Sequence, residues 1–139
     1  KNLYLVYTGM IRKASIIESS KFKKIDNNSL LQILTLASDG ENLLKKNNFK
    51  LSELGKLINE TWNIKKSLSK NVSNKDINNI YNMMISSGAY GAKLCGAGGG
   101  GFFIVLANKI AIKKIKDNIK KSMIGNINID YHGIKTFNL

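Results

Sequence analysis

This sequence of 139 residues has no proline, one cysteine (Cys95), one histidine (His132) and one arginine (Arg12). A single cysteine excludes a disulfide framework, and a reducing cytoplasm is the default compartment. A single histidine without a cluster of cysteines or carboxylates makes a poor metal site. Cys95 has no histidine or other base near it in sequence, so it reads as a small packed thiol and not as a nucleophile. No run of eighteen apolar residues occurs, which excludes a transmembrane helix of ordinary length. The opening Lys1-Asn2-Leu3-Tyr4 lacks an initiator methionine and the layout of a secretory signal. The expectation is a single domain cut from a longer chain.

The net charge of +13 raises the question of nucleic acid. The scarcity of arginine argues against it, because lysine supplies 21 of the 22 basic residues. Base-edge and phosphate recognition favours the guanidinium fork, which bonds two acceptors at once. The lysines are spread along helical segments and form no aromatic-studded stripe. Lysine, asparagine and isoleucine dominate while proline is missing, which reads as background composition bias. The same positive field also suits an anionic substrate.

With 43% apolar residues the chain can bury a core, and its pattern changes character along its length. Leu3 to Tyr7 reads as a buried strand stopped by Thr8-Gly9. Arg12 to Phe22 has helical spacing, and Asp26 or Asn28 is placed to cap a further helix with Leu30, Leu31, Leu34, Ala37 and Leu44 inward. Ser52 is the expected cap of a long helix burying Leu54, Leu57, Ile58, Thr61, Ile64 and Leu68. Ser73 or Asn74 opens another helix with Ile77, Ile80, Tyr81 and Met84 inward, closed by Ser87-Gly88. Extended segments, Gly91 to Cys95 and Gly101 to Ala107, then flank a glycine run. Asn108 caps a helix with Ile112, Ile115, Ile119 and Met123 inward and its lysines in water. Ile127 to Tyr131 alternates as a half-buried strand does. The predicted fold class is α+β, a ferredoxin-like β-α-β-β-α-β sandwich with extra helices inserted in the first crossover.

Gly96-Ala97-Gly98-Gly99-Gly100-Gly101 carries the chemistry. Five glycines in six positions are costly in conformational entropy, and an ordinary hairpin needs only one or two. Such a run serves close backbone approach, or aims successive N–H groups at an anion. Gly96, Gly98 and Gly101 satisfy G-x-G-x-x-G, but the dinucleotide fingerprint must lead into a helix, whereas Phe102 to Leu106 reads as a strand. The protein-kinase reading lacks the H-R-D and D-F-G elements. The Walker A reading lacks Gly-Lys-Ser/Thr after the glycines.

Gly91-Ala92-Lys93-Leu94-Cys95-Gly96-Ala97-Gly98-Gly99-Gly100-Gly101-Phe102 closely resembles the third conserved motif of the GHMP kinases. Leu5 to Ser15 resembles the segment that opens the C-terminal domain in the D-glycero-D-manno-heptose 7-phosphate kinase branch, and Glu60 to Ser69 resembles a helix ending of the same branch. The resemblance covers nearly the whole chain and assigns residues 1–139 to the C-terminal domain. It implies transfer of the ATP γ-phosphoryl group to a sugar or sugar phosphate, with the glycine loop (Gly96, Ala97, Gly98, Gly99, Gly100, Gly101) beside the ATP phosphates. In that family the magnesium-binding carboxylate and the catalytic aspartate lie in the N-terminal domain. No catalytic or metal-binding residue is therefore expected here, and the fragment alone is expected to be inactive.

On the substrate side the expected residues are Thr8, Gly9, Arg12 and Lys66. Arg12 follows a strand end, a good place to meet a phosphate, with a surface salt bridge as the alternative. Trp62 reads as core, and Lys65 as solvated. Glu18, Asp39, Glu41, Glu53 and Glu60 are scattered, unlike a paired acid and base. The competing readings are a basic ferredoxin-like nucleic-acid module, which needs aromatic side chains displayed on its middle strands, and a small-ligand regulatory domain, which leaves the glycine run unexplained.

Overall fold

The computed structural model describes residues 2–11, 27–119, 124–128, 130, 131 and 133. Strand β1 (Leu3–Tyr7) alternates, with Tyr4 and Val6 buried on one face and Leu3, Leu5 and Tyr7 half-buried on the other. Three helices follow: α1 (Asn27–Leu44), α2 (Leu51–Ser67) and α3 (Lys75–Ser86). Strands β2 (Gly91–Leu94) and β3 (Phe102–Leu106), helix α4 (Lys109–Asn118) and strand β4 (Ile124–Asn126) complete the described elements. The sheet order is β2-β3-β1-β4, and every neighbouring pair is antiparallel. The architecture is a helix-covered antiparallel sheet of the α+β class, in the element order read from the sequence.

Local chemistry explains the helix starts. The side chain of Asn74 accepts the Ile77 N–H at 2.9 Å, and that of Asn108 accepts the Ala111 N–H at 2.8 Å. Helix α2 begins differently from the expectation at Ser52. Its cap is Lys50, whose backbone N–H donates to the Glu53 carboxylate at 2.8 Å, so the reciprocal half of a capping box holds this terminus. Gly88, at φ 100°, ends the turn after α3 where a side chain would be strained.

The core brings Val6, Phe103 and Val105 of the sheet against Trp62, Ile77, Met84 and Ile115 of the helices. Trp62 meets Phe103 edge to face, ring centres 5.8 Å apart, a geometry worth about 0.5–1.5 kcal/mol beyond area burial. Its indole N–H has no partner among the described residues.

The face of α2 that meets the sheet is Gly55, Asn59 and Trp62, spaced at four and three residues; Leu54, Leu57, Ile58, Thr61 and Ile64 are only half-buried. The apolar count alone pointed to the wrong stripe. Close approach to β2 needs a residue without a side chain, and Gly55 provides it.

Helix α1 also departs from expectation. Leu43 is buried, but Leu30, Leu31, Leu34 and Leu44 are exposed, Leu34 to 66%. Leucines stand on more than one side of α1, and among the described elements it packs chiefly on α2, which covers one side. The last strand lies earlier than the alternation of Ile127 to Tyr131 implied. Ile124, Gly125 and Asn126 pair with Val6, Leu5 and Tyr4, and Tyr131 is 87% exposed. Asp26, the Arg12–Phe22 helix, Met123, Ile129 and His132 lie outside the described residues. No described helix is long and apolar enough to cross a membrane.

Candidate functional site

The glycine run is the turn between β2 and β3. The Cys95 N–H closes its base by donating to the Phe102 carbonyl at 2.8 Å. Gly96, Gly98, Gly99 and Gly101 have φ of 66°, 105°, 76° and 91°, where an L side chain costs roughly 1–2 kcal/mol per residue. The left-handed conformation is thus one reason for the composition.

Close approach is the second reason. A Cβ at Gly98 would stand 2.8 Å from both Cα and the carbonyl oxygen of Val72, and one at Gly100 would stand 2.7 Å from the Met10 carbonyl oxygen. The loop is held between these two shoulders by hydrogen bonds. The Gly99 N–H donates to the Val72 carbonyl and the Gly101 N–H to the Met10 carbonyl, both at 2.9 Å. Thr8 seals the junction: its backbone N–H and its hydroxyl both donate to the Gly101 carbonyl at 2.9 Å, and its hydroxyl oxygen accepts the Met10 N–H at 3.2 Å.

Two loop amides are therefore spent inside the fold. Those of Ala97, Gly98 and Gly100 have no partner among the described residues. They border an open cavity of about 580 Å³ whose other walls include Tyr7, Met10, Ile11 and Phe102. Such a cavity, largely apolar and bordered by residues whose amides are unpaired, can take the anionic end of a ligand.

Behind the loop, Lys65 of α2 donates to the carbonyls of Leu94, at 3.0 Å, and Gly96. The expectation of a merely solvated Lys65 is thereby overturned, because two main-chain acceptors converge where α2 ends beside β2. Half-buried Cys95 borders both the cavity in front of the loop and a second one behind it.

Residues 22–125 match the family described as GHMP kinases C terminal. The chain belongs to the GHMP kinases. Among curated relatives, this GHMP kinase domain is 32% identical over 100 residues to the D-glycero-alpha-D-manno-heptose 7-phosphate kinase of Campylobacter jejuni, covering 70% of this chain and 30% of that protein. It is 29% identical over 113 residues to the bifunctional fucokinase/GDP-fucose pyrophosphorylase of Arabidopsis thaliana, covering 77% of this chain and 10% of that one. Among solved structures it resembles the L. major mevalonate kinase in complex with R-mevalonate, with TM-score 0.69 and 26% identity over 85% of this chain and 38% of the other. The Methanococcus jannaschii mevalonate kinase gives TM-score 0.66 and 27% identity over 88% of this chain and 38% of the other. The domain thus spans well under half the length of each of these relatives.

Three of the four substrate-side residues are described, and they are not gathered at the glycine-loop cavity. Buried Thr8 commits its hydroxyl to the loop, so any effect it has on a ligand runs through loop position. Gly9, at φ 75°, is exposed beside it. Arg12 lies outside the described residues. Lys66 does not border the glycine-loop cavity; its ammonium sits 5.7 Å from the centre of the Trp62 ring and 5.2 Å from that of Tyr81, a cation–π arrangement. No three histidine, cysteine or acidic side chains converge as a metal site among the described residues.

Sequence reasoning passed over Asn59, which pins α2 to β2. Its amide donates to the Tyr90 carbonyl at 3.2 Å, and its carbonyl accepts the Ala92 N–H and the Tyr81 hydroxyl, each at 3.0 Å. An asparagine one helical turn after a glycine, on the same stripe as a tryptophan, was the available signal. Burial raises the Tyr81 phenol above its ordinary value of 10.0. The unfolded chain then releases this proton first, so Tyr81 draws stability down as pH rises from about 10 toward the higher folded value, and adds no slope below. Denaturant unfolding at several pH values across this range should show a steeper alkaline decline for the native domain than for Tyr81→Phe. Parallel declines would contradict this.

Proposed function

We propose that this chain is the C-terminal domain of a two-domain, ATP-dependent kinase that transfers the γ-phosphoryl group to a sugar or sugar phosphate, with heptose 7-phosphate favoured. The carrying observation is the glycine loop: tied down at Val72 and Met10, it still leaves the Ala97, Gly98 and Gly100 amides unpaired over an open cavity. Phosphoryl transfer is catalysed mostly by positioning and charge stabilisation, and fixed backbone N–H groups supply both. These donors suit the phosphates of ATP. Magnesium, when bound, neutralises phosphate charge; its carboxylate ligands and the catalytic aspartate are expected from the upstream domain, so this chain alone should not turn over.

The sheet order β2-β3-β1-β4 with helical crossovers supports reading the fold as ferredoxin-like, α1 to α3 enlarging the first crossover. Similarity to the heptose 7-phosphate kinase supports the substrate. The proposed compartment is the cytoplasm, where a single free thiol such as Cys95 stays reduced.

One observation bears on the nucleic-acid reading. Tyr7 and Phe102 sit side by side on the two middle strands, Phe102 40% exposed. Their ring centres are 5.0 Å apart, so they pack on each other and do not offer two separate stacking faces.

The test is ADP release by this domain joined to an upstream nucleotide-binding half, across heptose 7-phosphate, galactose, fucose and mevalonate. Turnover should be best with heptose 7-phosphate, its kcat/KM exceeding the others by roughly 100-fold or more, as a phosphate-recognising site requires. No turnover with any of them, together with tight salt-sensitive oligonucleotide binding, would replace the kinase with the basic binding module.

A further inference from the structure

Lys65 stands in the last turn of α2, where its charge also complements the helix dipole. Its ammonium bonds two carbonyls that straddle Cys95: that of Leu94, the end of β2, and that of Gly96, the start of the loop. No peptide bond in the described chain is cis. In a trans peptide the C=O and N–H point to opposite sides.

The peptide joining Leu94 to Cys95 displays the consequence. Its carbonyl turns to Lys65 while its N–H reaches the Phe102 carbonyl at 2.8 Å. The next held peptide joins Gly96 to Ala97. With its carbonyl on Lys65, its N–H, that of Ala97, is turned to the other side of the loop.

The two sides are different places. Lys65 and Gly96 border a cavity of about 440 Å³ that also takes in Lys93 and Ile58. Gly96 also borders the cavity of about 580 Å³ in front of the loop, and of these two cavities Ala97, Gly98 and Gly100 border that one alone. An ammonium on a carbonyl also polarises its peptide, strengthening the N–H at the far end as a donor.

We propose that Lys65 is a positioning residue, which fixes the Gly96–Ala97 peptide so that the Ala97 N–H faces the phosphates of the bound nucleotide. This rests on the kinase reading above. Lys65 touches no phosphate itself; it acts from behind the loop, through the peptide it holds. Unlike the glycines, which permit the loop conformation, Lys65 selects one orientation of one peptide.

The experiment uses the two-domain protein with Lys65→Met, Lys65→Arg and, as a control on the same helix, exposed Lys56→Met. Affinities for ATP and for adenosine are measured with kcat. Lys65→Met should weaken ATP binding about 10-fold and lower kcat roughly 10- to 100-fold, somewhat less than outright loss of an oriented donor. Adenosine, which has no phosphate, should bind within about 2-fold of wild type. Lys65→Arg, which keeps charge and donors, should recover most of both losses, and Lys56→Met should match wild type.

Equal loss of adenosine and ATP affinity would mean a merely structural role and overturn the proposal. So would wild-type ATP affinity and kcat in Lys65→Met. Wild-type protein that binds no ATP would overturn the kinase reading and this proposal with it, which separates the two failures.

Discussion

Gly55→Ala should destabilise the domain by about 3 kcal/mol or more, whereas Gly40→Ala, one helix away, should stabilise it by about 0.5–1 kcal/mol. Both glycines are helical, so both gain the same propensity on substitution, roughly 1 kcal/mol. What differs is the space. A Cβ at Gly40 meets nothing within 4 Å, while one at Gly55 would stand 2.3 Å from the Tyr90 carbonyl oxygen and 2.4 Å from its carbon. Those are main-chain atoms, which cannot rotate aside as the end of a side chain can.

Helix α2 must therefore back away from β2, and the displacement does not stop at one contact. Asn59, a turn later, would lose its bonds to Tyr90 and Ala92, and Trp62 would lift from Phe103. Neighbouring losses of this kind are coupled and add to the clash. A total of several kcal/mol is comparable with the whole stability of an ordinary domain, about 5–15 kcal/mol. Gly55→Val, bulkier still, should leave no cooperative transition. Urea unfolding followed by circular dichroism measures all three, and equal midpoints for Gly55→Ala and Gly40→Ala would refute the close-approach account.

This contact also marks the boundary of what could be read from the sequence. Features set by a few adjacent residues were legible: Asn74 and Asn108 cap helices through amides three residues on, and Gly88 ends a turn. The glycine loop was legible because five glycines in six positions have few other uses. Its shoulders were not. Val72 and Met10 look like ordinary apolar residues, and only the fold brings their carbonyls to Gly99 and Gly101. Lys65 looked solvated because its acceptors lie 29 and 31 residues away. Helix α1 misled in the opposite direction, its leucines satisfying the helical period on sides that its described neighbours leave open. Periodicity reports that a face is apolar and says nothing of whether another element covers it.

On the proposed kinase reading, Gly98→Val should cost the two-domain protein about 100-fold or more in kcat while leaving this chain folded. The stability term is bounded. Valine at φ 105° adds about 1–2 kcal/mol of backbone strain, and its Cβ would stand 2.8 Å from the Val72 main chain. A surface turn can relieve that contact by moving outward, unlike α2 against β2, so the melting temperature should fall without loss of cooperativity. The outward movement is what the chemistry cannot tolerate. It breaks the bond from Gly99 to Val72 and shifts Ala97, Gly98 and Gly100, with their unpaired amides, from their places at the cavity wall. Displacing a reacting group by about 1 Å can cost on the order of 100-fold, and removing one charge-stabilising donor costs about 100- to 1,000-fold. Gly55→Ala and Gly98→Val are therefore distinguishable. Gly55→Ala shows first as lost stability, whereas Gly98→Val lowers kcat in protein that still melts cooperatively. Coupled ADP release alongside thermal unfolding reads both quantities on the same samples. A Gly98→Val enzyme within about 10-fold of wild-type kcat would mean that the loop lies away from the transferred phosphate, since no misaligned donor set should be that mild.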